Sequence, residues 1–539
     1  MAARSDRTPA RWRRPFIKWL DGIEPGWAVP LLLLGFGAVW LAFLSIAYLG
    51  AGLHPDTLET WTLGRSFEWG NPKHPPLMGW VARAWTSVFP STDWSFRLLA
   101  MTNSAVALWA VDLISRQFVR GDKRVVTLLL LMLLPTYQFH AQRFNANTIL
   151  LPLWPLATYC FLRAFETRHT TWAAAAGATA AIAMLGKYYS AFLIASFIFA
   201  AAFHPQRRAY FMSSAPWVSA AVGLAVLGPH LYWLATTGAA PFQYALAAQT
   251  GVAFTPSLME ALFFLLGIGA SMALAAFAWI LIAGYRLKQI PADFVAMNSG
   301  LFLLFLVSVG TVAFPVMTAV ALGTYLPSLW ATQGLFLFVV LIVCGASYPI
   351  RRFHSVNLTV LVVGIALTAV FVAAPIHAIY RNNNSYEEVR DFYRPVATEL
   401  TRLWHQRSDK PMPAVSGDDA LAFATAFYSP DHPVYARPFA LQYTWRLPRK
   451  TTLERGWTAL CSERQEACIA WMAETAERAS QFVRTEIVLQ SSLLGWPGTT
   501  KRFVALLVMP SDEMTITPPR ESIGVEDLSS NRRSFPNME

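Results

Sequence analysis

The chain has 539 residues, of which 55% are hydrophobic and only 14% charged, with a net charge of +11. A soluble protein carries about a quarter charged residues. The composition therefore excludes an ordinary soluble globule and indicates a polytopic membrane protein with length left over for a soluble part. The positive charge does not indicate a nucleic-acid partner: the basic residues sit in short clusters between apolar runs, the pattern that orients membrane proteins.

The first stretch, "MAARSDRTPARWRRPFIKW", is basic and is not followed by a short apolar core with a cleavage site. It reads as a retained cytoplasmic tail, residues 1–26, and not as a signal peptide. About 20 apolar residues span the hydrocarbon core as a helix. Candidate spans follow at 27–49, 95–117, 124–140, 147–165, 171–187, 189–204, 214–235, 258–284, 297–320, 326–347 and 356–378, about eleven in all. The basic joints "RWRRPFIK", "RQFVRGDKR", "RAFETRH", "HPQRRAY", "YRLK" and "YPIRRFH" fall on one side, which is the cytoplasm. An odd span count places the C-terminal part outside. Residues 27–378 then form the membrane domain.

The first outer loop, 50–94, is too long for a simple connector. It contains "HPDTLETWTLGRSFEWGNPKHPPLMGW". "DTLETWTLGRSFEWG" has helix spacing, with Asp56 near the helix start, where unpaired N–H groups favour a carboxylate. Glu59 shares its face three residues on. "NPKHPPL" cannot be helical, because Pro75 and Pro76 break it. "LMGWVARAWTSVF" reads as an amphipathic interfacial helix, with Leu77, Trp80, Val81, Ala84 and Trp85 toward lipid. Each candidate has a plain alternative. Asp56 serves equally as a helix cap, Lys73 and His74 as headgroup anchors, and Trp61, Trp69 and Trp80 as interface-belt aromatics. Their coincidence in one loop raises the functional reading.

Two more cations fall on the outer side. Lys187 in "GKYYS", beside Tyr188 and Tyr189, is not explained by topology; it either snorkels or binds an anion such as phosphate. Arg143 in "HAQRFNANT" carries the same two readings. Carboxylates and cations at headgroup depth suit a reaction on a lipid-linked phosphate. A carboxylate, Asp56 or Glu59, serves as general base for an acceptor hydroxyl. The cations Lys187, His74, Lys73 and Arg143 stabilise the departing phosphate. A transporter or flippase would instead place ionisable groups at mid-membrane depth, whereas most here lie near span ends.

Residues 379–539 change character. "YEEVRDFYRPVATELTRLW" has helical spacing through Val389, Phe392, Val396, Leu400 and Leu403. "PAVSG", "PVYAR", "EIVLQSS" and "FVALLVMP" read as short strands, giving a small α/β domain on the outer face. The stretch from about Ser511 reads as an irregular tail. Cys160 and Cys344 lie in apolar runs as inert core residues. Cys461 and Cys468 would stand about 10 Å apart on one continuous helix, too far to bridge. A disulfide there requires a turn inside "CSERQEAC" and an oxidising compartment. No phosphate loop and no cysteine–histidine metal cluster is present in the sequence, so no cofactor is assigned. Two nearby acids can bind a divalent cation, although no cage of oxygen ligands is visible.

The acids, the interval of about twenty residues and the Pro-Pro-aromatic turn after the first span together resemble the integral-membrane GT-C glycosyltransferases. The branch is similar to families 39 and 83: protein mannosyltransferase-like enzymes, aminoarabinose transferases of lipid A and rhizobial lipopolysaccharide galacturonosyltransferases. "LETWTLGRSFEWGNPKHPPLMGW" resembles most the last group, which typically has a D-E-A-E-like start and an A-W-G-Y-G-P-Q-P-P-L turn. "NTILLPLWPLATYCFLRAFETRHTTWAAAAGATAAIAMLGKYYSAFL" and "GPHLYWL" add to the likeness, which covers roughly 40–345 well and the C-terminal part loosely. Asp56 matches the family's catalytic acid, and Glu59 a later acid of the galacturonosyl-type pattern. Lys187 matches a lysine implied to contact the donor phosphate. Thr57 departs from the family's acid pair, which keeps an inactive lipid-binding scaffold in view. Lys73 and His74 stand where the aminoarabinose enzymes have Glu-Lys. The resemblance implies a mainly α fold with a periplasmic C-terminal domain in a bacterial inner membrane. It also implies transfer of a sugar from a polyprenyl-phosphate donor to a lipid or glycan acceptor, with Tyr188, Tyr189 and Trp61 near the substrates.

Overall fold

Hydrocarbon offers a backbone no hydrogen-bond partner, so an apolar run that crosses it must close its own bonds as a helix. The computed structural model describes residues 11–71, 73–239, 241–242, 254–384, 389–436, 455–477 and 481–510. Helices dominate them, and the protein is a mainly α polytopic membrane protein with a small sheet toward its C-terminus.

The described part divides into two units, the first built from residues up to 238, 251–391 and 491–499. Its helices are α1 (Arg14–Asp21), α2 (Ala28–Ala47), α3 (Pro55–Gly64), α4 (Leu77–Thr86), α5 (Asp93–Phe118), α6 (Asp122–Leu131), α7 (Leu150–Thr167), α8 (Thr170–Gly186), α9 (Ala191–Phe203), α10 (Arg207–Phe211) and α11 (Ala215–Thr236). They continue as α12 (Phe254–Ala283), α13 (Ile290–Val295), α14 (Ser299–Leu322), α15 (Leu335–Gly345), α16 (Arg352–Thr368) and α17 (Ala374–Asn384). Each of the intervals expected to span holds a helix. Among the described residues, seven segments are long and apolar enough to cross a membrane, and Thr170–Gly186 and Tyr188–Phe203 are shorter apolar helices. The interval 124–140 is only half regular: α6 ends at Leu131, and Pro135 precedes a wide turn over Thr136–His140. α12 exposes Leu262, Phe263, Leu266, Phe277 and Leu281. A bilayer covers such a face.

The loop 50–94 is held at its entrance by three arginines. Arg97 donates to the carbonyls of Tyr48 (3.1 Å) and Ala51 (3.3 Å), and Arg381 to that of Leu49 (2.9 Å). Arg390 donates twice to the Gly52 carbonyl (3.0 and 2.9 Å), with its guanidinium 4.1 Å from the Tyr48 ring centroid. Arg381 is fully buried and paired with Asp391, so its charge is matched. Farther along, α3 crosses α4 at two glycines: a Cβ on Gly64 would lie 2.7 Å from the Gly79 carbonyl oxygen. Only glycine permits this approach.

The second unit contains residues 392–490 and those from 500 on. Its elements are α18 (Tyr393–His405), β1 (Ala414–Gly417), α19 (Asp419–Tyr428), β2 (Val434–Tyr435), β3 (Trp457–Ser462), α20 (Glu466–Glu477), β4 (Phe482–Leu493) and β5 (Trp496–Val508). The sheet order is β2-β1-β3-β5-β4, with β1 parallel to β2 and β3, and β3 antiparallel to β5. The helix foreseen from Val389 begins at Tyr393, because Val389 takes φ +58° and breaks the run. β3 went unforeseen: "WTALCS" is nearly all buried and shows no alternation. A turn does separate the cysteines, since Cys461 ends in a strand and Cys468 lies in a helix. The two form a disulfide with Cα atoms 5.8 Å apart. Cys160 and Cys344 are free and buried. The tail expected from Ser511 lies outside the described residues.

Candidate active site

The geometry starts at the cap of α3. Pro55 presets the first helical φ, and His54, with φ −62° and ψ 143°, is the N-cap. Its Nδ1 accepts a hydrogen bond from the Asp56 N–H at 3.2 Å. The cap is thus supplied by a histidine, and the Asp56 carboxylate is left for another partner. Burial pushes the His54 imidazole down to about 3; Asp56 opposes this, and Arg143 and Arg390 add to it. The ring is neutral at neutral pH, with Nδ1 as acceptor. Its 3.7 Å approach to Asp56 Oδ2 is therefore not an ion pair.

The partner of Asp56 comes from the turn before α7. Asn145 Nδ2 donates to Asp56 Oδ2 at 2.7 Å, across 89 residues of sequence. The Asn145 Oδ1 accepts the N–H groups of Asn147 (2.9 Å) and Thr148 (3.0 Å), which shapes the turn around its own side chain. Thr148 Oγ1 closes it by donating to the Arg143 carbonyl at 2.9 Å. From the other side, Thr60 Oγ1 on α3 shares its proton between the carbonyls of Asp56 (2.8 Å) and Phe144 (3.1 Å). The Asp56 side chain keeps 31% exposure. Burial alone would raise its pKa, but His54 once protonated in acid, Lys73, the Asn145 amide and Arg143 outweigh it and hold the carboxyl below its usual range. Asn145, the partner of Asp56, lines a recess together with His140, Arg143, Asn147 and Thr332.

Lys187 reaches the same turn. It stands in extended conformation in the joint between α8 and α9, and its Nζ donates to Asn147 Oδ1. The ammonium also lies 4.1 Å from the Trp330 ring centroid, a cation–π distance. Asp56, Arg143 and Lys187, read from the sequence as one reactive group, are brought together on residues 143–147. Asn145, Asn147 and His54 escaped the sequence reading. The only trace of the amides was "NAN" beside an outer cation.

The remaining candidates go elsewhere. Glu59 is buried, and Lys73 Nζ donates to both its oxygens at 2.9 and 3.1 Å. This matched pair ties the proline turn to α3. Asn71 Oδ1 accepts the N–H groups of Lys73 (3.0 Å) and His74 (2.8 Å), which fixes the turn from within. Burial lowers His74 to about 4, with Glu59 opposing, so at neutral pH it brings no positive charge to a phosphate. Trp61 is packed inside the loop, donating to Ser91 Oγ at 3.2 Å, with Arg65 over its ring. Tyr189 is buried against Trp154 and Trp330, and Tyr188 turns away to His230. Among the described residues no group of three metal-ligating side chains stands together.

The two histidines give stability a pH dependence. Both are depressed from 6.5 when folded, to about 3 and about 4. As pH falls below 6.5, the unfolded chain takes up protons that the folded chain refuses, so stability falls. The melting temperature of the purified protein is expected to drop steadily between about pH 6.5 and pH 4. His74→Asn should flatten that slope, and an unchanged slope would show that His74 is not held neutral.

No curated protein matches the chain. The family model described as dolichyl-phosphate-mannose-protein mannosyltransferase matches residues 73–233, which takes in Arg143, Asn145, Asn147 and Lys187 but starts after Asp56. Among solved structures, ArnT from Cupriavidus metallidurans bound to undecaprenyl phosphate is 14% identical with a TM-score of 0.55, over 92% of this chain and 99% of ArnT. Apo ArnT from the same organism is 13% identical with a TM-score of 0.56, over 90% of this chain and 98% of ArnT. The chain has the fold of ArnT.

Proposed function

We propose that this protein is a membrane glycosyltransferase that moves a sugar from a polyprenyl-phosphate donor to a lipid or glycan acceptor on the periplasmic face of the inner membrane. One observation carries the reading: Asn145 holds the Asp56 carboxylate while Asn147, two residues on, holds the Lys187 ammonium, with Arg143 at the head of the same turn. A base and two cations gathered on one turn suit attack at a carbon whose leaving group is a phosphate. The binding of undecaprenyl phosphate by ArnT, which has this fold, supports the donor class.

In this mechanism Asp56 accepts the proton of the acceptor hydroxyl. The freed oxygen attacks the anomeric carbon as the bond from that carbon to the phosphate oxygen breaks. The electron pair leaves with the polyprenyl phosphate, and Lys187 and Arg143 hold the developing charge. Attack opposite the leaving group inverts the anomeric centre. The disulfide between Cys461 and Cys468 supports an oxidising compartment for the second unit.

Mass spectrometry of envelope lipids, lipopolysaccharide and glycans tests the proposal, comparing a deletion strain with strains restored by wild-type or Asp56→Asn protein. A sugar lost on deletion and regained only with wild type is expected. An unchanged glycan profile would overturn the proposal.

A further inference from the structure

Near the outer end of α11, two side chains on one face grip the proline turn of the first loop. His230 Nδ1 lies 2.5 Å from the Trp69 carbonyl oxygen. The Trp233 ring lies so close over Gly70 that a Cβ there would meet it at 2.5 Å. The other nitrogen of His230, Nε2, is 2.9 Å from the Tyr188 hydroxyl, the residue next to Lys187. His230 is 2% exposed and stacks between Tyr188 and Trp233, at 5.8 and 5.7 Å.

Chemistry fixes the direction of this chain of bonds. A carbonyl only accepts, so Nδ1 carries the proton and donates to Trp69. Nε2 of the neutral ring then accepts, and the Tyr188 hydroxyl donates to it. The ring is thus a strut between the proline turn of the first loop and the piece of backbone that carries Lys187. On one side is the turn through Trp69, Asn71, Lys73 and His74. On the other is the short joint that starts at Lys187. Tyr188 pins one side of that joint to α11, and Ser190 pins the other, its hydroxyl accepting from Trp154 Nε1 at 3.0 Å. Lys187 heads the joint: its N–H donates to the Ala183 carbonyl at 3.1 Å and the pinned Tyr188 follows it, so its side chain has a fixed origin.

We infer that His230 and Tyr188 are positioning residues for the donor phosphate: the relay from Tyr188 through His230 to the Trp69 carbonyl sets where the Lys187 ammonium stands. This rests on the reading of Lys187 as a phosphate ligand. His230 touches no reacting atom and acts through Lys187 and the proline turn.

The test uses the full chain in nanodiscs, with undecaprenyl phosphate as probe. Dissociation constants and Tm are measured for wild type, Lys187→Ala, Tyr188→Phe, His230→Phe and the Tyr188→Phe/His230→Phe double variant. Phenylalanine keeps an aromatic ring at both positions and removes the hydrogen bonds. Tyr188→Phe is expected to weaken binding about tenfold, the cost of one buried hydrogen bond lost, and His230→Phe, which removes two, by at least as much. The double variant should be little worse than either, because the two belong to one relay. Wild-type affinity in His230→Phe and Tyr188→Phe, beside a loss in Lys187→Ala, would reduce the pair to packing and overturn the inference. A wild-type protein that binds no undecaprenyl phosphate would overturn the donor reading and the role assigned here. The relay itself is then judged by Tm: non-additive losses support it, and additive losses remove it. Tyr188→Phe keeps the test open if His230→Phe fails to fold.

Discussion

Asp56→Asn is expected to lower sugar transfer by about 10²- to 10⁴-fold, the usual contribution of a positioned general base, while donor binding stays near wild type. The substitution is close to isosteric. The new amide can turn its oxygen toward Asn145 Nδ2, so the 2.7 Å bond that orients residue 56 survives. What is lost is the capacity to take a proton. Alanine would be a poorer test, because it would leave the Asn145 amide without that acceptor and disturb the turn that also holds Lys187. The carboxyl lies below its usual range. The rate should therefore show no acid limb from Asp56 above about pH 4, the ordinary value for an aspartate. Turnover near wild type in Asp56→Asn at saturating donor would remove Asp56 from the chemistry. Glu59→Gln makes the contrast. Its carboxylate is already matched by Lys73, so its loss should leave a charged lysine without its partner and reduce stability more than turnover.

The difference between these two acids was not legible in the sequence. Both stand near the start of one helix, three residues apart, and both invite a catalytic role. Their fates diverge because of residues far along the chain: Lys73 claims Glu59, and Asn145 claims Asp56. The charged groups could be picked out one by one, because a charge beside an apolar run is costly and demands a reason. The amides could not, since an asparagine in a polar joint looks like any turn residue. His54 was overlooked for a related cause: Asp56 looked like the natural cap, and nothing local says that a histidine ring takes that place.

The membrane helices were the most legible part, because hydrocarbon imposes one rule on every residue it touches. That rule weakens where the chain leaves lipid. The run 124–140 is apolar to its end, yet Pro135 and the packing of Tyr137 and Gln138 into the protein turn its last third into irregular backbone. The polar joint that follows grows out of this irregularity and carries Arg143, Asn145 and Asn147. Seen from composition alone, the break was only a long span.

Lys187→Ala is expected to weaken donor binding by about 10- to 100-fold, the range for one charge-assisted hydrogen bond, with a smaller effect on turnover at saturating donor. A snorkelling lysine would show no such loss. The geometry argues against snorkelling: the ammonium is held over the Trp330 ring and against Asn147, inside the protein. Arg143 gives an independent check. It lines the recess that Asn147, the partner of Lys187, also lines, and no side-chain hydrogen bond of its guanidinium is made among the described residues. If both cations meet one phosphate, Arg143→Ala should weaken binding comparably, and the double variant should fall short of the sum of the two losses, because either cation alone already orients the group. Strictly additive losses would place the two cations on different groups of the donor. Unchanged donor affinity in Lys187→Ala would leave the lysine a structural partner of Asn147, and the reaction would then lack the charge that its leaving group requires.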